Sequence, residues 1–137
     1  MNQHVRNISQ RLSLRAPQTE SLEILARVCQ LIDLDKNADL AQQLAAIKST
    51  FPTVQDFERD FPSLCFALAT GVGKTRLMGA FIAYLYRAEK VQHFFVLAPN
   101  LTIYRKLIAD FTPGSPKYVF QGIHESVSYT HLRAHET

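Results

Sequence analysis

At 137 residues the chain is sized for one domain with a real core. Its 47% apolar and 20% charged residues are ordinary for a soluble globular protein, which argues against disorder. No apolar run near its glycines approaches the ~20 residues that span a bilayer, and two cysteines are too few for a disulfide framework.

Residues 1–13 are polar and irregular and read as a loose lead-in; no apolar segment follows their basic residues, so no signal peptide is predicted. From Pro17 to Leu34 the pattern is helical. Glu20, Glu23, Arg27 and Gln30 form one polar stripe, and Leu22, Leu25, Ala26, Cys29 and Ile32 lie away from it. A second helix is predicted over Asp39–Ser49, with Leu40, Leu44 and Ile47 on one face. Pro52 and Pro62 bracket the charged connector TVQDFERDF.

The texture then changes. LCFALA (64–69) is an apolar run of strand length, TGVGKT is a loop, and TRLMGAFIAYLYRA is a helix with Leu77, Met78, Phe81, Ile82 and Leu85 on one face. HFFVLA (93–98) reads as a second strand, Leu101–Phe111 as another helix, and KYVFQG (117–122) as a third strand. Strands alternating with helices of this length predict an α/β fold: a βαβαβ parallel sheet with helices on both faces, preceded by a helical N-terminal segment. Cys29 and Cys65 sit in apolar patterns and read as buried free thiols of a reducing cytoplasm.

The loop between the first strand and its helix carries the chemistry. Gly71 and Gly73 let the backbone take positive φ and approach a ligand closely. Successive N–H groups then form an anion nest at the positive end of the next helix. In this pattern Thr70, Gly71, Val72, Gly73, Lys74 and Thr75 cradle a triphosphate. The Lys74 ammonium lies over the β- and γ-phosphates, and the Thr75 hydroxyl ligates Mg²⁺. The strict form G-x-x-x-x-G-K-[ST] would need glycine at position 68, where this chain has Leu68. The cofactors implied are ATP and Mg²⁺. The charge distribution agrees: residues 74–117 hold Lys74, Arg76, Arg87, Lys90, Arg105, Lys106 and Lys117 against Glu89 and Asp110, a balance suited to a polyanion.

The form ATGVGKT (69–75) resembles motif I of superfamily 2, DEAD/DEAH-box-like helicases and translocases. LSLRAPQTESLEIL (12–25) is similar to their upstream segment whose glutamine reads adenine, which would give Gln18 that role with Arg15 nearby. FFVLAPNLTIYRKL (94–107) resembles motif Ia and would bring Pro99, Asn100 and Thr102 to the nucleic-acid backbone. Asn100 and Thr102 also suit a plain helix cap. The run from Phe61 to Gly122 looks most like the restriction (Res) subunit of type III restriction–modification enzymes. That resemblance implies an incomplete first RecA-like, P-loop lobe of a cytoplasmic ATP-dependent motor, with duplex DNA and a methyltransferase subunit as partners and no membrane. Lys74 and Thr75 would be its catalytic residues.

The domains expected are a helical segment over 1–62 carrying the glutamine motif, a partial ATP-binding lobe over 63–125, and a tail over 126–137. The tail, SVSYTHLRAHET, resembles translated adapter sequence. Its His131 and His135 are a weak metal pair without a third ligand. No Asp-Glu pair occurs in the sequence, so the expectation is a nucleotide-binding fragment that does not turn ATP over alone. Motif I by itself does not exclude another P-loop protein, such as a small-molecule kinase; a third reading is a non-enzymatic nucleotide-binding scaffold, against which the intact Gly71, Gly73, Lys74 and Thr75 argue.

Overall fold

The computed structural model describes residues 2–34, 37–116 and 118–120. Helix-forming signals dominate these residues. Five α-helices result: α1 (Gln3–Arg11), α2 (Ala16–Leu31), α3 (Leu40–Thr50), α4 (Lys74–Ala88) and α5 (Leu101–Phe111). Three begin on the side chains such starts favour. Asn2 accepts from the N–H groups of His4 and Val5, Asp39 from Ala41 and Gln42, and Asn100 from Ile103. Pro17 sits in the first turn of α2, where its missing N–H costs nothing.

The lead-in over residues 1–13 is largely helical, which the sequence reading did not expect. Val5, Ile8 and Leu12 recur at three- and four-residue steps and are buried. Asn2 also donates from Nδ2 to the Tyr84 hydroxyl at 2.8 Å, which pins the start of α1 to the second half of α4.

Helix α4 is the hub. It packs against α1 and α2, while α1 also meets α2 and α2 meets α3. Leu77, Gly79, Ala80, Ile82, Ala83 and Tyr84 are all buried, so α4 is apolar around much more than the single face predicted. Gly79 matters sterically: a Cβ there would stand 3.0 Å from Val119 Cγ2. Its absence lets residues 118–120 lie on α4, where Phe120 meets Phe111 of α5 at 5.5 Å between ring centroids. A smaller core joins Val28 of α2, Ile47 of α3 and Phe57.

The parallel α/β sheet is the expectation the structure overturns: among the described residues there is no strand. Segments 64–69 and 93–98 run irregularly, without ladder hydrogen bonds to one another. Their burial nevertheless alternates. Phe66, Leu68, Phe94, Val96 and Ala98 are half-buried against the helices, and Cys65, Ala67, Phe95 and Leu97 are exposed. The apolar runs were read as buried on both faces. One face is covered, and the backbone groups lack the partner that makes a strand. The third predicted strand lies mostly outside the described residues, and Tyr118–Phe120 are not in a strand. The tail over 126–137, with His131 and His135, lies outside them entirely.

The cysteines divide. Cys29 is buried, and burial with the nearby Glu89 carboxylate raises its thiol to about 11; Cys65 is exposed rather than buried. At pH 8 a thiol reagent is therefore expected to modify Cys65 rapidly and Cys29 only after unfolding, which mass spectrometry of labelled peptides checks. The same shift carries a sign for stability. The unfolded thiol ionises near 9.0 and the folded one near 11, so this contribution is lost as pH rises through that window.

Candidate nucleotide-binding site

The TGVGKT loop ends in α4. Gly71 and Gly73 both have φ of 84°, the left-handed region that glycine enters without steric cost. Gly73 is the N-cap of α4, and having no side chain it leaves the helix start uncapped. The first intrahelical bond runs from the Leu77 N–H to the Gly73 carbonyl at 3.1 Å. The N–H groups from Gly71 to Arg76 donate to no group among the described residues. Free N–H groups at a helix start carry partial positive charge and accept an anion.

Lys74 is the first residue of α4. It is exposed, and its ammonium makes no hydrogen bond or ion pair among the described residues. Thr75 is half-buried one residue on, and Thr70 is exposed at the loop's entry. Unused N–H groups, one exposed ammonium and a hydroxyl thus fall within residues 71–76. This donor set fits a phosphate chain and its Mg²⁺. Among the described residues no group of three or more histidine, cysteine or acidic side chains could hold a metal unaided.

Gln18 is brought to the same loop across 55 residues of sequence. It is only 2% exposed. Its Oε1 accepts from the Arg15 N–H at 2.8 Å, and its Nε2 donates to the Gly73 carbonyl at 3.0 Å. Arg15 Nη2 donates to the Gly71 carbonyl at 3.2 Å. A third tie was not foreseen: Arg76 Nη1 donates to the Leu12 carbonyl at the end of α1, at 2.7 Å. No local sequence signal marks a contact between residues 64 apart.

Pro99, Asn100 and Thr102 stand at the start of α5, and all three are exposed. Asn100 caps the helix from its side chain at 3.0 Å to the Ile103 N–H. Arg105 and Lys106 are exposed one turn further on. No hydrogen bond joins this group to residues 70–75 among the described residues. No described helix is long and apolar enough to cross a membrane.

An uncapped, glycine-shaped helix start with an exposed lysine and a neighbouring threonine has the donors that a phosphate chain would need. Over residues 11–136 the chain matches the family described as type III restriction enzyme, res subunit, and it belongs to that family. The match extends through most of the segment set apart above as a tail. No curated relative and no solved structure matches the chain.

Proposed function

We propose that this chain is the ATP-binding portion of a helicase or translocase, the restriction subunit of a type III restriction–modification system. In this reading it works in the cytoplasm on duplex DNA, alongside a methyltransferase subunit. The observation that carries the reading is the start of α4: two left-handed glycines, unused N–H groups and an unpaired Lys74, in a chain of this family. The N–H groups of the loop bind the phosphates and Lys74 neutralises the β- and γ-oxygens. Thr75 holds Mg²⁺, and Gln18 borders the adenine end. When bound, the metal ion neutralises phosphate charge.

Calorimetric titration with Mg·ATP tests the reading directly. Saturable binding at one site supports it, and no heat at millimolar nucleotide overturns it.

The start of α5 is assigned to the DNA backbone. Its first-turn N–H groups at Leu101 and Thr102, with Arg105 and Lys106 beside them, suit phosphate oxygens, and the Asn100 cap is compatible with that contact. Replacing both Arg105 and Lys106 by alanine is expected to weaken duplex binding evenly across sequences. It is also expected to flatten the slope of log K against log salt by roughly two. Fluorescence anisotropy at several salt concentrations measures both; an unchanged slope removes α5 from the interface.

A further inference from the structure

Three hydrogen bonds tie the loop and the start of α4 to one short stretch of chain, residues 12–18, from the end of α1 into the first turn of α2. Two of them take carbonyls of the loop itself. The peptide bonds of the described residues are all trans, so the C=O and N–H of each unit point in opposite directions. Gripping the Gly71 carbonyl therefore aims the Val72 N–H the other way, and gripping the Gly73 carbonyl does the same for the Lys74 N–H. These are donors of the anion nest.

Gln18 is suited to this hold. Its Oε1 is fixed by the Arg15 N–H, so its Nε2 is aimed, and it is almost fully buried. The Gly73 carbonyl accepts from both Leu77 N–H and Gln18 Nε2, which uses both its lone pairs. The fit is close: a Cβ on Gly73 would lie 2.5 Å from Gln18 Nε2 and 3.5 Å from Arg15 Nη2. Glycine at 73 thus serves the grip as well as the left-handed φ. At Gly71 a Cβ would meet nothing within 4 Å, so only its φ demands glycine.

We infer that Arg15 and Gln18 are positioning residues that pre-set the triphosphate loop by holding its carbonyls from behind. The inference rests on the nucleotide-binding reading, but it assigns Gln18 an action on the phosphates that does not pass through the base. Holding the donors in place before the ligand arrives removes an ordering cost from binding.

The test is titration of inorganic tripolyphosphate, ATP and GTP, each with Mg²⁺, into the whole chain and two variants that leave net charge unchanged. Gln18→Met keeps length and removes the amide; Arg15→Lys keeps the cation and removes the guanidinium fork. Each variant is expected to lose roughly three- to ten-fold in affinity for all three ligands, tripolyphosphate included. Loss confined to ATP, with tripolyphosphate unaffected, would overturn the inference and leave Gln18 acting on the base alone. Undiminished binding of all three would overturn it as well.

A ligand-free measurement separates this inference from the reading beneath it. Backbone ¹⁵N relaxation of Gly71 and Gly73 is expected to report a rigid loop in the parent chain and lower order parameters in both variants. Equal order parameters in all three chains sink the inference whether or not nucleotide binds. A parent chain that binds no tripolyphosphate, yet loses loop order on substitution, sinks the nucleotide reading and keeps the brace.

Discussion

Lys74→Ala is expected to weaken Mg·ATP binding by roughly ten- to a hundred-fold, the equivalent of one charged hydrogen bond. The substitution should cost no stability. Lys74 is exposed, and its ammonium has no partner among the described residues, so its removal strands no buried group. The local electrostatics argue further. The first turn of α4 holds no acid, and it carries two cations, Lys74 and Arg76, at the positive end of the helix dipole. Arg76 is accounted for by the Leu12 carbonyl. Lys74 is placed against the dipole with nothing in the fold to offset it. Its removal should therefore leave the ligand-free chain unchanged or stabilise it by ~0.3–1 kcal/mol. Opposite signs in thermal midpoint and nucleotide affinity are the signature of a side chain kept for a ligand. Calorimetry and a thermal melt on the same sample read both, and an affinity loss accompanied by unfolding would assign Lys74 to the fold instead.

The loop's backbone geometry was legible in the sequence because its parts are contiguous. Six residues from Thr70 to Thr75 contain the turn, the helix start and the charge, and the left-handed φ at Gly71 and Gly73 is what two closely spaced glycines before Lys-Thr imply. The four longer helices were legible for a similar reason: polar stripes and proline and asparagine punctuation are local signals. The sheet was misread because an apolar run of strand length reports that side chains can be covered and says nothing of what the backbone pairs with. Phe94, Val96 and Ala98 do turn inward, onto helices, while Phe95 and Leu97 are 77% and 76% exposed. Helix α1 was missed because its two buried residues, Val5 and Ile8, are diluted by arginine, asparagine and glutamine. Its contacts with α4 join positions some eighty apart, as the Asn2–Tyr84 bond does. The ties from Arg15, Gln18 and Arg76 belong to that same class of long-range contact, which a single sequence does not encode locally.

The burial of α1 has a consequence that separates the two readings of residues 1–13. Ile8 is 0% exposed and lies in the main core with Val5, Leu12, Ala80 and Tyr84. Ile8→Ala is expected to destabilise the chain by about 2–5 kcal/mol, through lost burial plus the cavity left behind. Against the ~5–15 kcal/mol that holds a typical domain together, that is a large fraction. Gln10, exposed on the other side of the same helix, supplies the control: Gln10→Ala should stay within ~0.5 kcal/mol of the parent. Urea titration followed by circular dichroism reads both as shifts in midpoint at constant slope. A loose lead-in would make the two substitutions indistinguishable, whereas a docked helix separates them widely. The outcome reaches the loop as well. The carbonyl of Leu12 at the end of α1 is the acceptor for Arg76, and residues 15 and 18 follow soon after it. Loosening α1 should therefore lower phosphate affinity in partly destabilising urea before the chain as a whole unfolds, and Ile8→Ala should show that loss at a lower urea concentration than the parent.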